Sequence, residues 1–513
     1  MRLIDFFDRG VALYPERACL SDLSGRSLSF REVQQRTYRV GNKLIAGGLA
    51  PQAVGAVLSA NDMDAFSCIL GILRGGGAWM PLNARNSVED NIHILADNEC
   101  RWLFYHSAFA DAVEQIRTHV PTLQGLICID RANGADPDLA GWLADGSDEV
   151  CHVPAGPNDI ASIWPSGGTT GRSKGVMLTH LNFETMVVNF VTSMPYSEPP
   201  VHLVAAPMTH AAGCIAFPLL AMGATQIVMP NADPLEIMRC IERFKVTTLF
   251  LPPTVIYMML GHPQVRDFDY SSLKHFIYAA APMSSRKLEE AIGIFGPVMA
   301  QTFGQAEAPM LCAFLSPAEH LVTDEKRLTS CGRATMFVQL EIMDDDGRIL
   351  PPNERGEIVA RGNLVMKGYY KNPSATQEAS RFGWHHTGDI GSKDEDGYFY
   401  IVDRKRDMVI SGGFNIYPSE IEQVLWSHPA VEDCAVIGVP DEKWGEAVKA
   451  IIQLKPGASA ALEEFELFCR NRLGGMKTPK SFEVWDQLPR SPVGKVLKRN
   501  IRDHFWAGHS RNV

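Results

Sequence analysis

Apolar positions along the first 400 residues fall into two alternating textures. Short continuous apolar runs, bounded by glycine and polar clusters, alternate with longer stretches in which apolar residues return every three or four positions. Ser29-Phe30-Arg31-Glu32 has capping-box spacing and predicts a helix that stops near Gly47-Gly48. Residues 53–58 read as a buried strand, 62–73 as a helix and 78–82, after three glycines, as a second strand, which together make a βαβ unit. Runs at 202–206, 224–229, 246–251 and 275–279 repeat the rhythm, so parallel sheets flanked by helices are expected. Past residue 330 the runs at 340–343, 356–360 and 397–402 are separated by turns such as Asp346-Gly347 and Asp396-Gly397, a β-rich subdomain. A charged stretch, Arg404-Lys405-Arg406-Asp407, precedes an α+β tail. The tail predicts a helix at 418–426 with Ile421, Val424 and Leu425 on one face, strands at 434–439 and 447–454, and a helix at 462–473. The fold class is therefore α/β: a large N-terminal domain over 1–403 and a small α+β C-terminal domain over 404–513.

Composition narrows the function. At 513 residues the chain is too long for one ordinary core. Its net charge of −11 leaves no basic surplus for general nucleic-acid binding. Eleven scattered cysteines with no C-x-x-C pair suggest neither a disulfide framework nor a cysteine zinc site, and a reducing cytoplasm is the simplest compartment. Asp5 and Asp8 make the N-terminus a poor signal peptide, and no apolar run reaches the ~18 residues of a transmembrane segment. A homodimer is allowed.

The strongest local signal is Ser166-Gly167-Gly168-Thr169-Thr170-Gly171-Arg172-Ser173-Lys174-Gly175, directly after the apolar run 160–164. Three glycines allow close backbone approach, successive N–H groups can form an anion nest, and Thr169, Thr170 and Lys174 add donors, so phosphate is the natural guest. Its Lys174-Gly175 order is not that of a Walker A loop. Taken alone the run reads equally as a polar surface loop. It resembles the phosphate-binding signature of the adenylate-forming superfamily: acyl- and aryl-CoA synthetases, peptide-synthetase adenylation domains and beetle luciferases. It departs from that signature at Gly167 and at Ser173, which stands in place of proline.

Further segments follow in the family's order. Ala280-Ala281-Pro282 resembles the segment whose backbone lies along adenine. Gln301-Thr302-Phe303-Gly304-Gln305-Ala306-Glu307 resembles the segment whose glutamate holds Mg²⁺, with Ala306 replacing the usual threonine. Thr387-Gly388-Asp389 and Asp403-Arg404 resemble the ribose-binding motifs, and Arg406 occupies the inter-domain hinge position. Gly412-Gly413 resembles the loop beside the pantetheine tunnel, and the stretch ending Pro492-Val493-Gly494-Lys495 resembles the catalytic-lysine loop.

The resemblance implies an ATP-dependent carboxylic acid–CoA ligase that uses ATP, Mg²⁺ and coenzyme A, with a C-terminal domain that rotates between half-reactions. Lys495, Lys174 and His210 would be catalytic. Ser166, Gly167, Gly168, Thr169, Thr170, Gly171, Ala280, Ala281, Pro282, Thr302, Phe303, Gly304, Asp389 and Arg404 would bind the nucleotide. Glu307 and Thr169 would hold the metal, and Gly412 and Gly413 would border coenzyme A. The acyl pocket would be walled by Ala211, Cys214, Phe217, Thr254, Tyr278, Ala279 and Leu311. These are mostly small or apolar, with no evident second cation, which favours a medium- or long-chain fatty acid or an aryl or cyclic monocarboxylate. A carrier-protein-loading adenylation enzyme shares every motif. A catalytically silent nucleotide-binding protein would be expected to lose Lys495 or Glu307, and both are present.

Overall fold

A computed structural model describes residues 1–166, 173–209, 211–281, 283–321, 326–412, 414–490 and 496–507. Two sheets carry the first 400 residues. In a seven-stranded sheet the strands Val54–Leu58, Ala78–Pro81, Trp102–Tyr105 and Gly125–Cys128 are parallel. Ile160–Pro165 adds parallel to Ala78–Pro81, and beyond it Gly175–Thr179 and Gly368–Tyr369 end the sheet in antiparallel pairings. Strand Ile160–Pro165 leads into the glycine loop and strand Gly175–Thr179 leads out of it, so a hairpin carries that loop.

A thirteen-stranded sheet has a parallel half built from Ala18–Asp22, Thr225–Val228, Val201–Val204, Thr248–Leu251, His275–Tyr278 and Met299–Gln305. The strands expected as a smaller β-rich subdomain past 330 continue this sheet as its antiparallel half, with Tyr398–Arg404 and His385–Lys393 side by side inside it and Gln339–Met343 at its edge. The switch follows from the connections. Helices such as Pro234–Phe244 and Ser285–Phe295 carry the chain back between parallel strands, whereas a tight turn joins Met299–Gln305 to Ala308–Leu315. The largest apolar core joins the two sheets. Phe217, on the helix Ala211–Ala221, packs 6.3 Å from Trp79 of the seven-stranded sheet and 6.4 Å from Phe183 of the helix His180–Ser193.

Local expectations hold where the chemistry is local. Ser29 accepts from the Glu32 N–H, Glu32 answers to the Ser29 N–H, and the helix runs Phe30–Ala46 to a cap at Gly47. Asp62 caps Met63–Arg74. In the tail, Pro418–Trp426 packs on the antiparallel pair Val431–Asp441 and Gly445–Leu454. The helix expected over 462–473 extends to Lys477 across a break at Gly474, whose φ is +73°.

The large sheet ends at Arg404 and the five-stranded C-terminal sheet begins at Val409. The link between them is crossed by charge contacts. Asp403 accepts from the Ser419 N–H at 2.8 Å, so a carboxylate sits at the N-terminus of the helix Pro418–Trp426. Arg355 pairs with Glu420 at 2.6 Å and Arg502 with Asp407 at 2.7 Å. Lys498, three residues beyond Lys495, reaches Glu422 at 2.8 Å. Desolvation alone would lower the Lys498 ammonium, but Glu422, Asp403 and Asp407 together hold it above its ordinary value. Glu422 also accepts from the Val436 N–H at 2.7 Å.

Removing one partner of a mostly buried pair leaves the other charge uncompensated. Lys498→Met is expected to lower the stability of the C-terminal lobe by about 3–5 kcal/mol, and adding Glu422→Leu should recover most of that loss. Urea unfolding of the full-length single and double variants measures both. A single variant within 1 kcal/mol of the parent, to take the scale of an exposed pair, would show that the pair holds nothing.

Candidate active site

The site is assembled at the ends of strands from both sheets. At the neck of the glycine loop, Ser166 N–H donates to the Lys174 carbonyl at 2.8 Å and Lys174 N–H donates to the Ser166 hydroxyl at 2.9 Å. Ser173, where the family pattern has proline, donates its hydroxyl to the Ser166 carbonyl at 2.8 Å. A hydrogen bond thus closes the neck where a ring would otherwise stiffen it. Gly167, Gly168, Thr169, Thr170 and Gly171 lie outside the described residues.

The exposed Lys174 extends over the ring of Tyr369, its Nζ 4.8 Å from the ring centroid. The Tyr369 hydroxyl donates to Glu307 Oε1 at 2.8 Å. Desolvation, then the Glu307 carboxylate, push the phenol well above its ordinary range, so it remains a donor. Glu307 lies in the tight turn between Met299–Gln305 and Ala308–Leu315. That turn requires Gly304: a Cβ there would sit 2.5 Å from the Met310 backbone nitrogen.

Asp389 and Arg404 are cross-strand partners on His385–Lys393 and Tyr398–Arg404, and Arg404 Nε lies 2.8 Å from Asp389 Oδ1. Gln305 donates its amide to Asp389 Oδ2 at 3.0 Å and to the Thr387 carbonyl at 2.8 Å, and its carbonyl meets His385 Nε2 at 3.1 Å. The Glu307 turn is thereby tied to the Asp389 strand. Ala280 holds φ at +74°, left-handed backbone that is costly for alanine, just past the strand His275–Tyr278 and beside Ala281. Thr302 and Phe303 are buried, and the Thr302 hydroxyl has no hydrogen-bond partner among the described residues.

The nominated acyl-pocket residues divide. Ala279, Cys214, Phe217 and Leu311 belong to the core between the sheets. Tyr278 faces the other apolar layer, its hydroxyl 2.9 Å from His320 Nε2 and 3.1 Å from Gln301 Oε1. Thr254 lies in the first turn of the helix Pro253–Leu260, and Ala211 begins the helix that carries Cys214 and Phe217. His210, Pro282, Gly413 and Lys495 lie outside the described residues. Arg406 sits in the link between the two lobes, and the Gly412 N–H donates to the Trp444 carbonyl at 2.9 Å.

Gln305 and Tyr369 were not among the residues singled out in the sequence. The partners of Gln305 lie 80 to 84 residues on. Tyr369 is 62 residues from Glu307, and Gly368-Tyr369-Tyr370 alone suggests only a short strand. All eleven cysteines are free and buried. Among the described residues no group of three or more His, Cys, Asp or Glu side chains gathers to hold a metal. Glu307, a single carboxylate with Oε1 already hydrogen-bonded, fits an ion carried largely on substrate phosphates rather than one caged by protein.

Comparisons with known proteins agree with this layout. The model of the AMP-binding enzyme family matches residues 7–370, and that of the AMP-binding enzyme C-terminal domain matches residues 420–495. The chain is 39% identical over 479 residues to the medium/long-chain-fatty-acid–CoA ligase FadD8 of Mycobacterium tuberculosis, covering 90% of this chain and 82% of that protein. It is 36% identical over 491 residues to a feruloyl-CoA synthase of Amycolatopsis sp, covering 94% of each. Among solved structures, ATP-bound MatB from Rhodopseudomonas palustris superposes with a TM-score of 0.90 at 28% identity, over 99% of this chain and 100% of that one. Apo MatB, at the same identity and coverage, reaches 0.78. With the glycine-loop neck, the Glu307 turn and the Asp389–Arg404 pair in the order and places described, the chain belongs to the AMP-binding enzyme family.

Proposed function

We propose that this chain is an ATP-dependent acid–CoA ligase that makes an acyl-adenylate and then an acyl-CoA thioester. The observation that carries the reading is the convergence of Lys174 and Glu307 on one tyrosine, while Gln305, two residues before Glu307, binds the Asp389 carboxylate. One turn thus joins a phosphate-binding end to a ribose-binding end. The CoA-ligase names of the two relatives above support thioester formation.

In the first half-reaction a carboxylate oxygen of the acid bonds to the α-phosphorus of ATP, and the bond to the departing pyrophosphate breaks. No protein nucleophile is required, so catalysis is positioning and charge stabilisation. Lys174 and the loop of Ser166, Gly167, Gly168, Thr169, Thr170 and Gly171 hold the β/γ end. Asp389 and Arg404 hold the ribose, and the backbone of Ala280, Ala281 and Pro282 lies along adenine. Glu307 and Thr169 would hold Mg²⁺, which would supply charge neutralisation on the phosphates. His210 stands at the acyl carboxylate, and Lys495 bridges acyl and phosphoryl oxygens. In the second half-reaction a thiol sulfur bonds to the acyl carbon, and AMP leaves with the electrons of the broken carbon–oxygen bond. Residues 404–513 turn about Arg406 between the steps, carrying Lys495 out and Gly412-Gly413 in. The better fit to ATP-bound than to apo MatB supports reading the present arrangement as the first-step one. The substrate is a medium- to long-chain fatty acid or an aryl or cyclic monocarboxylate.

Two outcomes follow. Lys495→Ala should lose acid-dependent pyrophosphate release by a factor on the order of 10²–10³, yet convert a supplied acyl-adenylate to acyl-CoA at a near-normal rate. Both half-reactions are measured on one folded preparation, and an equal loss in the two contradicts the two-arrangement mechanism. Across a panel of acids, medium-sized apolar monocarboxylates should give faster thioester formation than acetate or succinate. Best turnover on a dicarboxylate would overturn the substrate assignment.

A further inference from the structure

Residues 366–370 are bound on both sides. The Met366 N–H donates to the Glu307 carbonyl at 2.7 Å. The Lys367 N–H donates to the Met177 carbonyl at 2.9 Å, and the Tyr370 N–H to the Gly175 carbonyl at 2.7 Å. Strand Gly368–Tyr369 pairs antiparallel with the strand leaving the phosphate loop, with Tyr369 opposite Val176. Gly368 holds φ at +144°, and a Cβ there would meet Thr376 Cγ2 at 2.8 Å. Thr376 Oγ1 in turn accepts from the Tyr369 N–H at 2.9 Å. The backbone beneath the Tyr369 ring is therefore fixed, and the residue, 9% exposed, has little freedom.

We infer that Tyr369 is a positioning residue that sets the phosphate-loop lysine and the metal carboxylate through two different parts of its side chain. This rests on the reading of Lys174 and Glu307 as phosphate and metal ligands. The hydroxyl fixes the Glu307 rotamer by occupying Oε1, which leaves Oε2 for the ion. A hydrogen bond that orients a ligating carboxylate contributes to metal affinity although it never touches the metal. The ring face holds the Lys174 ammonium by cation–π attraction, which aims the lysine without neutralising it as a carboxylate partner would. Because the two functions reside on different atoms, substitution separates them.

Calorimetric titration of the full-length chain with ATP, with and without Mg²⁺, reads the two functions directly and does not depend on turnover. Tyr369→Phe keeps the ring and removes the hydroxyl. It should weaken MgATP binding about tenfold while metal-free ATP binding stays within about twofold of the parent. Tyr369→Leu removes both and should weaken metal-free ATP binding as well, by about threefold to tenfold. Glu307→Gln is the reference for the underlying assignment, and Tyr369→Phe should reproduce part of its loss. If Glu307→Gln leaves MgATP affinity unchanged, the metal assignment of Glu307 is wrong and the inference goes with it. If Glu307→Gln weakens binding and Tyr369→Phe does not, the positioning role alone is overturned. Equal losses for Tyr369→Phe with and without Mg²⁺ would mean a general packing role and also overturn it. Should Tyr369→Leu fail to fold, the Phe variant alone decides the metal function.

Discussion

The proposed nucleotide site depends on a short doubly bound segment, residues 366–370. One edge binds the Glu307 turn of the thirteen-stranded sheet, and the other binds the strand that leaves the glycine loop of the seven-stranded sheet. The two sheets also share an apolar core through Phe217 and Trp79, but such contacts do not fix the relative position of two loops. Backbone hydrogen bonds are directional, and three of them on one five-residue segment set Lys174 and Glu307 at a defined separation. Catalysis by positioning demands that kind of constraint, since a displacement of about 1 Å can cost two orders of magnitude in rate.

A second constraint lies at the junction of the lobes. Asp403 precedes Arg406 and Ser419 follows it, so their hydrogen bond and the Arg355–Glu420 pair cross the link between the two sheets. Glu422, Lys498, Asp407 and Arg502 all follow Arg406 and pair within the C-terminal lobe. The charges of this junction thus divide into contacts that bind the C-terminal lobe internally and contacts that tie it to the first lobe. Partly exposed pairs such as Arg355–Glu420 are individually weak, which suits the rotation about Arg406 proposed above.

The sequence was most legible where chemistry is local. The Ser29–Glu32 box and the alternating apolar runs placed helices and strands to within a few residues. The glycine-rich run from Ser166 and Thr387-Gly388-Asp389, which lies within the strand His385–Lys393, are contiguous in the sequence and so can be picked out as motifs directly. Gln305 and Tyr369 could not, because their partners are brought close only by sheet pairing across 62 to 84 residues. Tyr278 illustrates a different limit. Its neighbour Ala279 lies on the core face, and one step along a strand reverses the face, so nomination of a run of consecutive residues mixed two layers. The continuation of the parallel sheet into its antiparallel half was hidden for a similar reason, since short strands and turns look alike whether they start a new sheet or extend an old one.

The most direct test of this account is product analysis of the parent enzyme. It is incubated with ATP, Mg²⁺, coenzyme A and a monocarboxylate of the favoured class, and nucleotides and thioesters are quantified by liquid chromatography and mass spectrometry. The account predicts AMP and acyl-CoA in equal amounts, with pyrophosphate and no ADP, and AMP formation that requires the acid. ADP with inorganic phosphate, or AMP accumulating while coenzyme A remains unacylated, would contradict it.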